Sequence, residues 1–307
     1  MSDNVDRLLP LLLENRELNQ KGVQLLQKTH QQIGKKSDED RTADEWFILG
    51  YYAQQVQQYD DALAHYAQAV LKNPEFEAAY KFRAMVCIDT QEFDDAEYDL
   101  NKALELDPTY TDALFERARM YHEMDQDDKA IAELNALVEK DQTFSDAYAL
   151  LGSTYEKSGK YKLAVEAFDK AIALEPENGH YFTQRGLAHY FADQFEPARV
   201  DLEKAQKITG TNHITQFNLA LVLSQMNDHI KDAFRSFEKA FKKAPDMLNH
   251  FYEQSGNVER KRLDSRLQNI VKQNQDKEEK EGSQFYRLQL IQLLERKLGE
   301  ARSKATR

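Results

Sequence analysis

The stretch GSTYEKSGKYKLAVEAFDKAIALEP, residues 152–176, carries large and small side chains at helical spacing on both sides of a short turn that contains glycine. The proline that ends it also occurs at Pro74 and Pro108, and Pro245 lies one residue later than the same count predicts. These positions follow a period of 34 residues. A fixed period of this length indicates an array of repeated helix pairs, in which each pair buries its apolar face against the next.

Six units of this length follow one another, at 43–76, 77–110, 111–144, 145–178, 179–212 and 213–247. The last unit carries one extra residue near 228–230. The large residue that opens each first helix is Trp46, Tyr80, Leu114, Tyr148, Phe182 or Gln216. The small residue four places later is Gly50, Ala84, Ala118, Gly152, Gly186 or Ala220. Large side chains at one position and small ones at the other predict closely packed helix pairs.

This pattern resembles the tetratricopeptide repeat family over residues 43–247. The resemblance implies an all-α protein, a right-handed superhelical solenoid of antiparallel helix pairs with a concave inner surface. The departures from the family pattern are local. Leu137 replaces a small residue, and Gln142 and Gly210 stand where the family has proline.

The two ends are predicted to form helical caps. Residues 1–42 form an N-terminal helical cap and a polar linker, and residues 248–307 form a C-terminal helical extension with a basic amphipathic helix at 283–302. The apolar stripe of that helix is expected to contact a partner surface through Phe285, Leu288, Ile291, Leu294 and Leu298. Docking on the last repeat, docking in the groove, homodimerisation, another protein or a membrane surface would each cover this stripe.

In the family, the concave surface comes from a few fixed positions of each first helix. Those positions give the candidate partner-binding groove: Phe47, Tyr51, Lys81, Met85, Ile88, Phe115, Arg119, His122, Glu123, Leu187, Tyr190, Phe191, Phe217 and Leu221. A band of accessible aromatic side chains favours binding of a helix or an extended peptide. The alternative is that several of these side chains pack against neighbouring helices or the ends of the chain.

One subset of the family holds the terminal carboxylate of a chaperone tail with lysine and asparagine side chains. Lys81 stands at a matching position, but Met85 replaces the asparagine and Glu116 in the next unit would repel a carboxylate. The sequence therefore argues against a chaperone-tail clamp.

Composition excludes several other classes of function. The net charge of −12 disfavours nucleic acid and anionic membranes as partners. No apolar run is long enough for an integral membrane helix, and the start of the chain does not read as a secretory signal. The histidines and the single Cys87 show no metal-ligand spacing, and no phosphate loop or nucleophile motif is present. We expect a cytoplasmic protein with no cofactor, no metal and no catalytic residues.

The sequence thus predicts a non-enzymatic adaptor or scaffold that holds a peptide or helix of a partner protein in its concave groove. An alternative is a self-regulated switch or oligomeric scaffold that acts through the C-terminal amphipathic helix. A second alternative is an unrecognised hydrolase that uses central carboxylates such as Glu123.

Overall fold

The computed structural model describes residues 2–13, 18–246, 265, 267–272 and 290–298, and within these residues the only regular secondary structure is helical. The chain divides into two compact units, residues 1–142 and residues 143–307. The predicted all-α fold of successive helix pairs is confirmed.

The first unit contains two N-terminal helices followed by three helix pairs. The N-terminal helices are α1 (Ser2–Leu13) and α2 (Gln20–Ile33). The pairs are α3 (Ala43–Gln55) with α4 (Tyr59–Lys72), α5 (Glu77–Asp89) with α6 (Phe93–Leu106), and α7 (Thr111–Glu123) with α8 (Asp127–Lys140). The first helices α3, α5 and α7 begin at the residues from which the repeats were counted.

The second unit contains three more pairs and two C-terminal helical segments. The pairs are α9 (Ser145–Lys157) with α10 (Tyr161–Leu174), α11 (Gly179–Phe191) with α12 (Phe195–Thr209), and α13 (His213–Gln225) with α14 (Ile230–Lys243). A short 3₁₀ helix, Asn227–His229, accommodates the extra residue of the sixth repeat. The C-terminal segments are residues 267–272 and 290–298.

Within each of the first five pairs the two helices are joined by the same tight turn. The turn residue has a left-handed backbone with φ between 58° and 73°, and it is Gln57, Gln91, Asp125, Gly159 or Asp193. The next residue donates its N–H to the carbonyl five positions earlier, as in the 2.9 Å bond from Gln58 to Ala53. This arrangement ends the first helix with a Schellman-type cap, which satisfies carbonyl groups that the helix leaves unpaired. The turn also makes Tyr59, Phe93, Tyr161 and Phe195 the first residues of their second helices.

Contacts between large and small side chains hold each pair together. A Cβ atom added to Gly50 would lie 2.6 Å from the Tyr66 ring, and one added to Gly152 would lie 2.9 Å from the Phe168 ring. Tyr66 and Phe168 are fully buried. Glycine at these two positions therefore lets an aromatic ring from the second helix pack directly against the backbone of the first helix.

The chain's own ends extend the core of each unit. Val5, Leu8 and Leu12 of α1 and Leu26 and Ile33 of α2 are buried in the same cluster as Trp46, Phe47 and Ile48 of α3. In the second unit, Leu267, Ile270, Val271, Leu290, Leu294 and Leu298 are buried together with residues of α13 and α14. The terminal segments therefore supply the apolar cover that the outermost repeats lack on one side.

Candidate partner-binding face

The first helices α5 and α7 lie side by side in the first unit. Their shared surface carries Met85, Phe115 and Arg119, which are half-buried, and Asp89 and Glu123, which are exposed. We call the surface formed by these five residues the first-helix face. All five lie at or next to positions that the sequence assigned to the groove.

Arg119 holds the charges of this face in place. Its Nε donates to Glu116 Oε2 on the same helix at 2.7 Å, and its Nη1 donates to Asp89 Oδ1 on α5 at 3.2 Å. Burial opposes the charged form of the guanidinium, but attraction from Glu116 and then Asp89 outweighs it and raises the pKa of Arg119. Arg119 therefore links α5 to α7, and its charge is already balanced by the two carboxylates.

Lys81 lies beneath the same surface. Its side chain is fully buried, with Nζ 3.6 Å from Asp112 Oδ2 and 3.9 Å from the centre of the Phe82 ring. Burial lowers the pKa of Lys81, while Asp112 and Glu116 partly oppose this shift. Lys81 does not present its ammonium group to a partner, so the one residue that matched a chaperone-tail clamp serves packing instead.

A cleft of about 300 Å³ opens beside Arg119. It is lined by Ile88, Asp89, Gln91, Phe93, Arg119 and Glu123. Gln91 and Phe93 come from the turn after α5 and the start of α6. The groove positions taken from the family pattern do not include them, although an aromatic residue starts four of the six second helices.

The structure places the fourteen predicted groove residues in different surroundings. Seven are buried: Phe47, Tyr51, Lys81, Ile88, Tyr190, Phe217 and Leu221. Six are half-buried, Met85, Phe115, Arg119, His122, Leu187 and Phe191, and Glu123 is exposed. Phe47 is buried because it packs against Tyr66, Phe76 and Phe82. For the buried residues the packing alternative describes the structure better than an open groove does.

In the second unit, three groove positions belong to the same apolar cluster as the C-terminal segments. Tyr190, Phe217 and Leu221 share this cluster with Leu267, Leu290 and Leu294. Lys297 extends this contact, because its Nζ donates to the Pro245 carbonyl at 3.1 Å and lies 5.6 Å from the Phe241 ring centre.

Of the five residues predicted for the C-terminal contact, Leu294 and Leu298 are buried, and Ile291 packs against the same cluster. Phe285 and Leu288 lie outside the described residues.

None of the described helices combines the length and the apolar composition that crossing a membrane requires. No group of three or more histidine, cysteine, aspartate or glutamate side chains in the described part of the chain could hold a metal ion. Cys87 is buried, and burial raises the pKa of its thiol to about 12, which keeps the thiol protonated near neutral pH.

Comparisons with known proteins agree with the repeat pattern. Models of the tetratricopeptide repeat match residues 49–111, 88–153 and 145–178. The matched ranges overlap and together extend over four of the six repeats, three in the first unit and one in the second.

Solved structures show a similar fold. A crystal structure of the APC/C hetero-tetramer Cut9–Hcn1 is similar over 79% of this chain and 50% of that chain, with 17% identity and a TM-score of 0.60. MamA from Desulfovibrio magneticus RS-1 has 19% identity over 54% of this chain and 94% of its own, with a TM-score of 0.49. YrrB, described as a TPR protein with an unusual peptide-binding site, has 19% identity over 61% and 95%, with a TM-score of 0.45.

Proposed function

We propose that this member of the tetratricopeptide repeat family is a non-enzymatic adaptor that binds a segment of a partner protein on the first-helix face of its first unit. Repeats of this kind bind proteins through surfaces that adjacent helices form together. The proposal includes a cytoplasmic location, because an acidic chain with one buried cysteine suits a reducing compartment.

One observation carries the proposal. The first-helix face is half-buried to exposed and offers mixed chemistry beside a cleft, whereas the corresponding positions Phe217 and Leu221 in the sixth repeat are buried in the apolar cluster that also contains the C-terminal leucines. Half-buried Met85 and Phe115 supply apolar contact area, and the surrounding charges supply specificity.

The test is capture of partners by the full-length protein and by a variant with Met85→Ala and Phe115→Ala. Arg119 is left intact, because its removal would leave Glu116 buried without its ion pair and confuse binding with stability. The matched control is Leu71→Ala with Tyr98→Ala, two exposed apolar residues on the second helices α4 and α6. Thermal unfolding establishes that all three proteins are folded.

We expect the wild-type protein and the control to capture the same partners, and the Met85/Phe115 variant to lose at least one of them. Mass spectrometry identifies the captured proteins. Identical partner lists for all three folded proteins would reject binding at the first-helix face.

A second candidate function is the self-regulated switch, and the C-terminal cover of Phe217 and Leu221 is the observation that favours it. Weakening this cover by Leu294→Ala should then add partners to the captured set. A cap that serves only stability would instead give a less stable second unit and no new partner. We do not extend the proposal to a homodimer, because Leu290, Leu294 and Leu298 are already buried within one chain.

A further inference from the structure

We infer that the cleft of the first-helix face takes a lysine or arginine side chain of the partner protein. This inference rests on the proposed function, because it names the chemistry of the segment that the same face would bind. It follows from the walls of the cleft, from the charges around it and from the charge of the whole first unit.

The cleft offers one aromatic wall in largely polar surroundings. Phe93 is half-buried and supplies that wall, Ile88 is buried, and the volume of about 300 Å³ lies at the lower end of pockets that enclose small ligands. Lysine and arginine pack their methylene groups along such surfaces and keep the charged end in a polar position. An aromatic wall such as Phe93 also attracts a cation that lies over its face.

The charges around the cleft favour a positive charge at the end of the bound side chain. Arg119 is the one cation among the residues that line the cleft, and it is engaged by Glu116 and Asp89. Exposed Glu123 adds a further carboxylate to the lining. The described lining of the cleft thus carries two carboxylates, Asp89 and Glu123, and one guanidinium, so its charge balance is negative. This excess of negative charge would repel a carboxylate of the partner, because the Arg119 guanidinium that could have attracted it is already paired.

The wider charge distribution acts in the same direction. Residues 1–142 contain 15 lysines and arginines against 30 aspartates and glutamates, which gives a net charge of −15. A unit with this excess attracts cationic segments at a distance and repels acidic ones. We therefore commit to a basic segment of another protein as the occupant of the cleft.

The experiment uses a displayed library of random twelve-residue peptides selected on the immobilised full-length chain. Selected peptides are then measured by fluorescence anisotropy against the wild-type protein, Glu123→Gln, the Met85→Ala/Phe115→Ala variant and the control Glu139→Gln. Glu139 is exposed on α8 outside the cleft, so this control removes the same charge at a position that the inference does not use. A copy of each peptide with its lysine or arginine replaced by methionine completes the comparison.

We expect selected peptides to be enriched in lysine or arginine and to lose affinity for Glu123→Gln by about two- to fivefold, as measured for accessible ion pairs. Affinity for Glu139→Gln should stay at the wild-type value, and the methionine peptides should not distinguish Glu123 from glutamine. Raising the salt concentration should weaken the basic peptides more than their methionine copies.

Two kinds of outcome would overturn the inference. Peptides that need Met85 and Phe115 but carry no basic residue, or that bind Glu123→Gln as well as the wild type, would reject the basic side chain and leave the proposed function standing. Peptides that bind all variants equally would reject the proposed function as well.

Discussion

The two units are built from the same repeat but differ in charge and in how their first helices are covered. Residues 1–142 carry a net charge of −15, whereas residues 143–307 carry 26 lysines and arginines against 23 aspartates and glutamates, a net charge of +3. Four of the thirteen residues of α7 are buried, whereas ten of the thirteen residues of α13 are buried. Residues shared by all repeats fix the helix pairs, while the variable positions and the chain ends decide which surfaces can bind.

The largest expected change in stability concerns the C-terminal segments of the second unit. Leu294 is fully buried, so Leu294→Ala should lower the free energy of unfolding of that unit by about 2–5 kcal/mol, through lost apolar contacts and a cavity. Hydrogen exchange should become faster in α13 and stay unchanged in α5.

The matched control is Leu71→Ala, which removes a leucine that is 71% exposed and should change stability by less than about 0.5 kcal/mol. Unchanged exchange in α13 of the Leu294 variant would show that the second unit does not depend on residues 290–298.

A smaller effect concerns the buried charge in the first unit. Asp112→Asn leaves the Lys81 ammonium buried without its partner and should lower the free energy of unfolding by about 2–3 kcal/mol, below the cost for a fully buried pair because Asp112 is partly exposed. Lys81→Met removes the buried charge itself and should change stability by less than about 1 kcal/mol. Urea unfolding measures both values, and equal losses would contradict this account of the pair.

The contact between a glycine and an aromatic ring should be equally sensitive to a glycine-to-alanine substitution in both units. Gly50→Ala and Gly152→Ala each force a methyl group against a buried ring and should cost about 1–3 kcal/mol. In a Tyr66→Leu background, Gly50→Ala should cost less than about 0.5 kcal/mol, because the ring that it would strike is gone. A double-mutant cycle by thermal unfolding measures this coupling. If Gly50→Ala lowers stability equally in both backgrounds, the loss arises from the helix backbone and not from the ring.

The smallest expected changes in stability concern the turns between the paired helices. The three turns of the first unit place Gln57, Gln91 and Asp125 in the left-handed region, whereas the second unit places Gly159 and Asp193 there. Gln57→Gly and Gln91→Gly should each stabilise the first unit by about 0.5–1 kcal/mol, and Gly159→Ala should destabilise the second by about 1 kcal/mol. Melting temperatures of the single variants test the signs, and destabilisation by Gln57→Gly would contradict the strain argument.

These turns also show what the sequence could not predict. The helix pairs followed from residues at fixed spacing, but the left-handed turn is marked by glycine only at residue 159. Gln57 and Gln91 adopt it because the caps around them fix the backbone, and this tertiary requirement has no signal in the residue type. The cleft depends on the same turn, since Gln91 and Phe93 flank it, and so the sequence missed both residues.

The candidate site could be predicted only in part. Arg119 and Glu123 lie on the first-helix face at the positions that the family pattern implies. Lys81 lies at such a position too, but the ring of Phe82 and the carboxylate of Asp112 enclose it. Lysine is seldom fully buried, so its residue type favoured an exposed position, and only the packing of its neighbours decided otherwise.

The cover over α13 has a consequence for protein synthesis. Residues 290–298 leave the ribosome about 65 residues after the end of α13, which at typical elongation rates is a delay of about 3–13 s. During that interval Phe217, Leu221 and their neighbours lack the leucines that later bury them, while the first unit has already been synthesised in full. The sixth repeat is therefore synthesised several seconds before the leucines that complete its apolar cluster.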